Sequence, residues 1–344
     1  MNSRPAVVRV ARHAMGTRFE VLLCGEREEA LRAAAEEALD AIERLDRLLS
    51  LYRADSDLSL INREAAASPV RVDPRVFRLL ERVRALHAGT GGAFDPTVAP
   101  VLFCWGVIGG AWRVPSADEI AEARSKVGFA GVELDPGSGT VRFSRPGMWM
   151  DLGSVGKGYA LECAGEVLRE LGVDCGLIHG GTSSVCGIGK GPDGQPWRIA
   201  VSLPTSGLGD AVAMHPLNWV QVGQAVWPDP TDQAEPRVET GVVFSRKEIA
   251  RPVVHLENSA LSISGIRGKY FEVKGETYGH VIDPRSGWPV QGAAMAAVTG
   301  LSATAADALS TALLVLGGEG MGLVESHFPG YGLGLAFAPP ERSQ

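Results

Sequence analysis

Residues 260–289, ALSISGIRGKYFEVKGETYGHVIDPRSGWP, decide the class of fold. ALSISG (260–265) reads as a strand, KYFEVKGETYGHVI (269–282) as a hairpin, and DPRSGWP (283–289) as a proline–glycine turn. A further strand near AAVTGL (296–301) precedes a helix from Ala303 to Leu316, which Gly317 and Gly318 end. These strands follow one another in runs and hairpins, without helices alternating between them. The expectation is therefore an α+β fold with mixed or antiparallel sheets and packed helices, not a doubly wound parallel sheet.

Toward the N-terminus the pattern becomes more helical. RFEVLL (18–23) reads as a strand. A helix is expected over 26–51, because Leu31, Ala35, Ala38, Ile42, Leu45 and Leu49 recur at three- and four-residue steps with charges opposite them. SLYRADSDLSLINRE (50–64) reads as a polar loop leading into short structure. Asp73 and Pro74 mark a second helix start, with Val76, Leu79, Leu80, Val83 and Leu86 on its apolar face to about Ala88. A glycine-rich turn, GTGGAFDPTVAP (89–100), follows. A third helix is expected from Gly156 to Leu171, stopped by Gly172. The stretch 204–258, with Pro228, Pro230 and Pro236, reads as a long irregular excursion. No fixed-period repeat is present. The organisation expected is an N-terminal extension (1–12), one domain (13–338) and a short C-terminal tail (339–344).

Composition narrows the function classes. The chain has 344 residues, 45% of them hydrophobic, with 43 glycines and 21 prolines, which fits a globular core with many backbone-lined turns. A net charge of −7 and no Lys/Arg run longer than two argue against nucleic acid as the main partner. A small anion bound by backbone amides and a cation remains compatible. The five cysteines form no CxxC pair and cannot all pair internally, so buried free thiols in a reducing compartment are expected. Neither an export signal nor a run of about 18 apolar residues is evident. As it stands the sequence fits the cytoplasm, or the periplasm if an export segment has been trimmed.

Seven places carry candidate chemistry. Asp307 and Thr311 lie four apart on the last predicted helix, so they share a face and offer two hard oxygens of the kind Mg²⁺ prefers. The surrounding small apolar residues imply burial, and a buried aspartate needs a partner. In DLGSVGKG (151–158) a carboxylate, Asp151, ends an expected strand, MWMDL (148–152), and precedes a glycine-rich bend into a helix start carrying Lys157, an arrangement suited to a diphosphate or simply to a strand–helix turn. It is not a Walker A loop, since Gly158 stands where Ser or Thr is required. GGAFDPT (91–97) allows close backbone approach to a flat ligand, with Phe94 able to cover it, and also reads as an ordinary helix-terminating turn. His280, at a strand end before DPRSG, is the best acid–base candidate among seven histidines, although a lone histidine is commonly structural. The Asp283/Arg285 pair beside it is suited to bracing that turn. HGGT (179–182), Met15-Gly16-Thr17 and Tyr52 complete the set.

Six segments taken in order, HAMGTRFEV, LDRLLSLYRADSDLSLIN, TGGAFDPTVAPVLFCWG, DLGSVGKGYALECAGEVL, GHVIDPRSGWPV and ATAADALSTALLVLG, resemble the ApbE family of flavin transferases and span residues 13–318. That resemblance implies two interwoven subdomains with a ligand cleft between them. It implies Mg²⁺-dependent transfer of FMN from FAD to a Ser/Thr hydroxyl of an acceptor protein, releasing AMP. It places the Ser154 carbonyl, Asp307 and Thr311 on Mg²⁺. It places Met15, Tyr52, Ala93, Phe94, Asp95, Asp151, Lys157 and Val281 on FAD, with His280 as the acid–base histidine. Lys157 would also stabilise charge on the diphosphate. The sequence departs from the family in GLIHGGTSS (176–184), where His179 and Thr182 replace the usual acidic residues, and in the longer 204–258 segment. An FAD diphosphatase, with water as acceptor, or a non-catalytic flavin-binding paralogue are the competing readings. No strand–GxGxxG–helix unit supports a flavin oxidoreductase.

Overall fold

The computed structural model describes residues 5–201, 253–266, 270–273 and 275–337. The chain opens with β1 (Ala6–Ala14) and β2 (Thr17–Gly25), then α1 (Glu28–Leu49), α2 (Asp57–Glu64), β3 (Val70–Arg71), α3 (Pro74–Gly89), α4 (Ala99–Cys104) and α5 (Ala117–Arg124). It continues through β4 (Val132–Asp135), β5 (Thr140–Phe143), α6 (Gly156–Glu170), β6 (Cys175–Gly180), β7 (Ser184–Gly189), β8 (Trp197–Ala200) and β9 (Val253–Leu256). The last part holds β10 (Ala260–Gly265), β11 (Tyr270–Val273), β12 (Glu276–Gly279), β13 (Ala293–Gly300), α7 (Ala303–Leu316), α8 (Gly320–His327) and β14 (Gly332–Phe337).

The main sheet has seven strands in the order β1-β2-β6-β7-β10-β13-β14. Every neighbouring pair in it is antiparallel, so the fold is α+β, as the runs of strands implied. α1, α6 and α7 bury one face of this sheet. Phe19, Val21 and Leu23 of β2 point to that face and meet Ile42, Leu45, Leu161 and Leu309 in one core. The alternate residues of β2 face the other side, where Cys24 joins Leu177, Trp197 and Leu256 in a smaller core beneath the β8–β9 ribbon. A third cluster around Trp105 packs α4 and α5 against Tyr278 of β12.

Four expectations need correction. Residues 6–12 are not an extension: AVVRVARHA alternates exposed and buried positions and forms the edge strand of the main sheet, paired with β2 from Ala6↔Gly25 to Ala14↔Thr17. The segment 50–64 is not all loop, because Ser56 accepts from the Ser59 N–H and starts α2. MWMDL (148–152) is not a strand. It is held extended by Asn62, whose side chain donates to the Met150 carbonyl (2.9 Å) and accepts its N–H (2.7 Å). The end of the expected excursion, Val253–Leu256, is strand β9; residues 204–252 of that excursion and the tail at 339–344 lie outside the described residues.

α7 has the composition of a buried helix. By length and composition the run Ala303–His327 is apolar enough to cross a membrane. In this fold α7 is instead the core helix, with Leu309, Leu313 and Leu314 fully buried and a positive-φ Gly317 separating it from α8. Each such leucine contributes about 1.5–3 kcal/mol by leaving water. That burial is what holds the polar side chains of α7 against the sheet.

Candidate active site

The site is built where α6 crosses α7. The crossing is too close for any side chain at Gly158: a Cβ there would lie 2.2 Å from the Ala303 carbonyl oxygen and 2.7 Å from the Asp307 Cβ. The absence of that methyl lets the Gly158 N–H, in the first turn of α6, donate to Asp307 Oδ2 at 2.9 Å. A helix N-terminus presents amides and a partial positive charge, so it stabilises the carboxylate. Lys157 Nζ lies 3.9 Å from the same oxygen and 3.4 Å from the Gly153 carbonyl.

The other carboxylate oxygen faces the sheet. Ser262 Oγ of β10 donates to Asp307 Oδ1 at 2.7 Å, and Ser184 Oγ of β7 lies 3.4 Å from it. Ser184 and Ser262 are register partners across the two strands. Two residues along β10, on the same face, Ser264 Oγ contacts Ser310 Oγ (2.8 Å) and Thr311 Oγ1 (3.1 Å) of α7. Asp307 is thus a buried carboxylate in a nest of hydroxyls and one amide, with Thr311 a turn beyond it. Sequence reasoning missed Ser184, Ser262, Ser264 and Ser310. The signal for two of them was present, since Ser262 and Ser264 are two apart in a strand and must share a face.

Polar contacts at the start of α7 hold this geometry. Glu162 of α6 accepts from Ser302 Oγ (2.7 Å), the Thr304 N–H (3.0 Å) and Thr304 Oγ1 (2.8 Å), and pairs with Arg82 at 2.6 Å. Desolvation pushes the Glu162 carboxyl up, but Arg82 and these donors outweigh it and hold its pKa below the usual carboxylate value.

The segment before α6 is also pinned. The Asp151 N–H donates to the Pro96 carbonyl at 2.7 Å, which ties it to the 93–98 loop, and its carboxylate accepts from the Gly153 N–H at 2.8 Å. Desolvation raises the Asp151 pKa against the Gly153 amide and Lys157. Ser154 sits half-buried in the turn that enters α6.

The 93–95 run requires a correction. Ala93 and Phe94 are each 1% exposed, so the Phe94 ring is part of the core and has no open face to lay over a ligand. The Asp95 carboxylate is also committed. It accepts from Thr97 N (2.8 Å), Thr97 Oγ1 (2.6 Å) and Phe129 N (3.1 Å), and lies 3.1 Å from His87 Nε2. What this run offers a ligand is its backbone. The loop packs inward because Phe94 is large and apolar, a term stronger than any preference of the glycines for an open turn.

Met15 occupies the β1–β2 turn with φ +49, followed by Gly16 at φ +70. Two positive φ values make a type I′ turn, which an Asn or Gly fills more easily than Met. The strained Met15 amide donates to Asp46 Oδ1 of α1 at 3.0 Å. Tyr52 follows α1 and stands 83% exposed. His280 and Val281 follow β12 and are half-buried. Val281 is anchored by the Val290 N–H at 2.9 Å, and the following turn is closed by Asp283–Trp288 backbone pairing. The Asp283/Arg285 pair braces that turn through contacts of 2.9 Å. Gly279 packs so near the end of β10 that a Cβ would sit 3.1 Å from the Ile266 carbonyl oxygen, two residues beyond Ser264.

The two departures from the family pattern lie on β6 and just after it. His179 is the register partner of Glu20 on β2, with Nε2 3.6 Å from Glu20 Oε1 and Nδ1 3.1 Å from the Gly181 carbonyl. Arg9 and Arg18 also pair with the buried Glu20. Thr182 is exposed.

Among the described residues no three His, Cys, Asp or Glu side chains converge as a metal cluster. The oxygen set at Asp307 and Thr311 nevertheless fits a hard cation that takes few protein ligands and fills its shell with water and phosphate. An antiparallel α+β fold with one buried carboxylate, a lysine and helix amides at a single crossing defines a protein equipped to hold a phosphorylated small molecule. The chain belongs to the ApbE family, whose family model matches residues 15–227 and 232–332. It is 29% identical to the FAD:protein FMN transferase of Klebsiella pneumoniae (strain 342), over 89% of this chain and 77% of the relative. It is 28% identical to that of Haemophilus influenzae, over 90% and 81%. The fold superposes on the ApbE protein of Thermotoga maritima with a TM-score of 0.77, at 27% identity and covering 96% and 94% of the two chains. The apo flavinyl transferase ApbE of Pseudomonas stutzeri gives 0.73 at 29% identity, covering 95% and 90%.

Proposed function

We propose that this chain transfers FMN from FAD to a serine or threonine hydroxyl of an acceptor protein, forming a phosphoester and releasing AMP. The observation that carries the reading is the α6–α7 crossing, where the Gly158 amide and Lys157 Nζ lie 2.9 and 3.9 Å from Asp307 Oδ2. Relatives named FAD:protein FMN transferase, aligned over most of the chain, support the substrate.

The amides at the start of α6 and Lys157 attract the diphosphate, whereas Asp307 by itself repels it. A cation held by the carboxylate would resolve that conflict. Asp307, the Thr311 hydroxyl and the Ser154 carbonyl would hold Mg²⁺, which when bound supplies charge neutralisation on phosphate oxygens. The hydroxyls of Ser184 and Ser262 keep Asp307 aimed at the crossing. The backbone of Ala93, Phe94 and Asp95, together with Met15, Asp151 and Val281, lines the FAD contact in this reading, and the exposed Tyr52 ring offers a stacking face. The acceptor hydroxyl oxygen attacks the FMN phosphorus as the bond to the AMP oxygen breaks. AMP leaves with that electron pair, Lys157 stabilises its charge, and His280 takes the hydroxyl proton.

The test is AMP release from FAD with Mg²⁺ or EDTA, with and without an acceptor carrying a Ser/Thr target. AMP that requires both Mg²⁺ and acceptor, with flavin fluorescence fixed on the acceptor, is the expected result. Metal-dependent AMP without acceptor would mean a diphosphatase. FAD bound and unchanged in every condition would overturn the catalytic reading.

A further inference from the structure

β2 and β6 pair antiparallel in a register running from Phe19↔Gly180 to Leu23↔Gly176. One step further along the same ladder places Cys24, in β2, opposite Cys175, the first residue of β6. The two side chains share a face as well. Cys24 is 3% exposed in the smaller core, and Cys175 packs against that core from its rim, half-buried. Cα atoms directly opposed in an antiparallel pair lie about 4.5–5.5 Å apart, inside the roughly 4.4–6.8 Å span that a disulfide bridges. The position is also well fixed. Cys175 pairs with Gly189 of β7 on its other side, where a Cβ on Gly189 would lie 1.8 Å from the Asp174 carbonyl, so the strand end has little room to shift.

We infer that Cys24 and Cys175 are a built thiol pair that closes to a cross-strand disulfide when the protein meets a small-molecule disulfide oxidant. Cys175, at the rim, is the thiol an external disulfide reaches. Its sulfur attacks one sulfur of the oxidant, loses its proton, and expels the other half as a thiolate. Cys24 then attacks the Cys175 sulfur, loses its proton, and expels the second half. Two protein thiols and one oxidant disulfide become one protein disulfide and two small thiols, so electrons and protons balance. The two thiols also interact directly: Cys175 donating toward Cys24 lowers the Cys24 pKa and raises that of Cys175. The other three cysteines have no such opposition. Cys186 faces Ile178 across β6–β7, and Cys104 and Cys163 lie on α4 and α6.

The pair lies at the opposite end of β6 from Gly180, roughly 17 Å away along the strand. Its closure is therefore a property of the scaffold, independent of the proposed transferase reading.

The experiment incubates the full-length protein with oxidised glutathione, counts free thiols and maps linkages in a non-reducing digest. Loss of two thiols from the five, a Cys24–Cys175 linked peptide and a raised Tm that reverts with dithiothreitol are expected. Cys24→Ser should stop closure and leave glutathione on Cys175, while Cys175→Ser should leave Cys24 unmodified. Five thiols persisting in the folded wild-type protein would overturn the inference. So would glutathione remaining on wild-type Cys175, or a linkage to any other cysteine.

Discussion

Gly158→Ala tests the architecture of the site directly. The added methyl would sit 2.2 Å from a backbone oxygen and 2.7 Å from the Asp307 Cβ, so no side-chain rotation relieves it. Restoring ordinary contact requires α6 and α7 to part by about 1 Å, an overpacking that costs about 1–3 kcal/mol. The same movement stretches the 2.9 Å bond from Gly158 N to Asp307 Oδ2 beyond hydrogen-bonding reach. Losing a bond to a charged acceptor adds about 1.5–3 kcal/mol. Alanine's helix preference over glycine returns roughly 0.5–1 kcal/mol. The net expectation is a loss of about 2–5 kcal/mol, read as a lower urea midpoint with an unchanged m value. Because a displacement of about 1 Å at a reacting centre costs on the order of a hundredfold, AMP release from FAD should fall by about that factor. A Gly158→Ala protein with the parent's midpoint and the parent's rate would refute the reasoning that this crossing excludes a methyl group.

Three further outcomes follow from the same geometry. Asp307→Ala should reduce Mg²⁺-dependent AMP release by about a thousandfold or more, since several kcal/mol of charge stabilisation would be lost; near-normal turnover would remove Asp307 from the site. His280→Gln should lower kcat by about 10²–10⁴ and abolish the acidic limb of the pH–rate profile, and an unchanged limb would assign that limb to another group. Glu162 has a folded pKa below its unfolded value, so its stabilisation is present above about pH 4.3 and disappears as pH falls through the folded pKa. Glu162→Gln should therefore be less stable than the parent at pH 7, with urea midpoints that converge as pH falls through the folded pKa; a constant gap down through the acid range would show that the charge on Glu162 is not what stabilises the start of α7.

Legibility followed the range of the interaction. α1 could be placed from six apolar positions at three- and four-residue spacing, and all six are buried in the structure. The Asp307–Thr311 pair was visible because four residues make about one helical turn. The β11–β12 hairpin and α7 needed only local alternation, capping and glycine stops. β1 was missed because Arg9, Arg12 and His13 give it the look of a polar leader, whereas in the sheet Arg9 and His13 lie on the exposed side of an edge strand and Arg12, on the other side, pairs with Glu36, Asp40 and Glu43 of α1. α2 was missed because its polar face resembles a loop until Ser56 is recognised as a cap. The Phe94 ring was expected over a ligand because a glycine-rich neighbourhood suggests an open turn; the apolar ring instead found the core.

Periodicity, caps and turn residues settle helices, hairpins and the α+β class, because each is decided among residues a few positions apart. The ordered set of motifs reaches further and indicates the family. The environment of Asp307 is of another kind. Its carboxylate meets Gly158, 149 residues earlier, and Ser184 and Ser262 on two neighbouring strands. No spacing in the chain encodes those meetings. They arise because one antiparallel sheet and two helices bury a common core, and that packing brings an amide, two hydroxyls and a lysine to a carboxylate that cannot be buried without them.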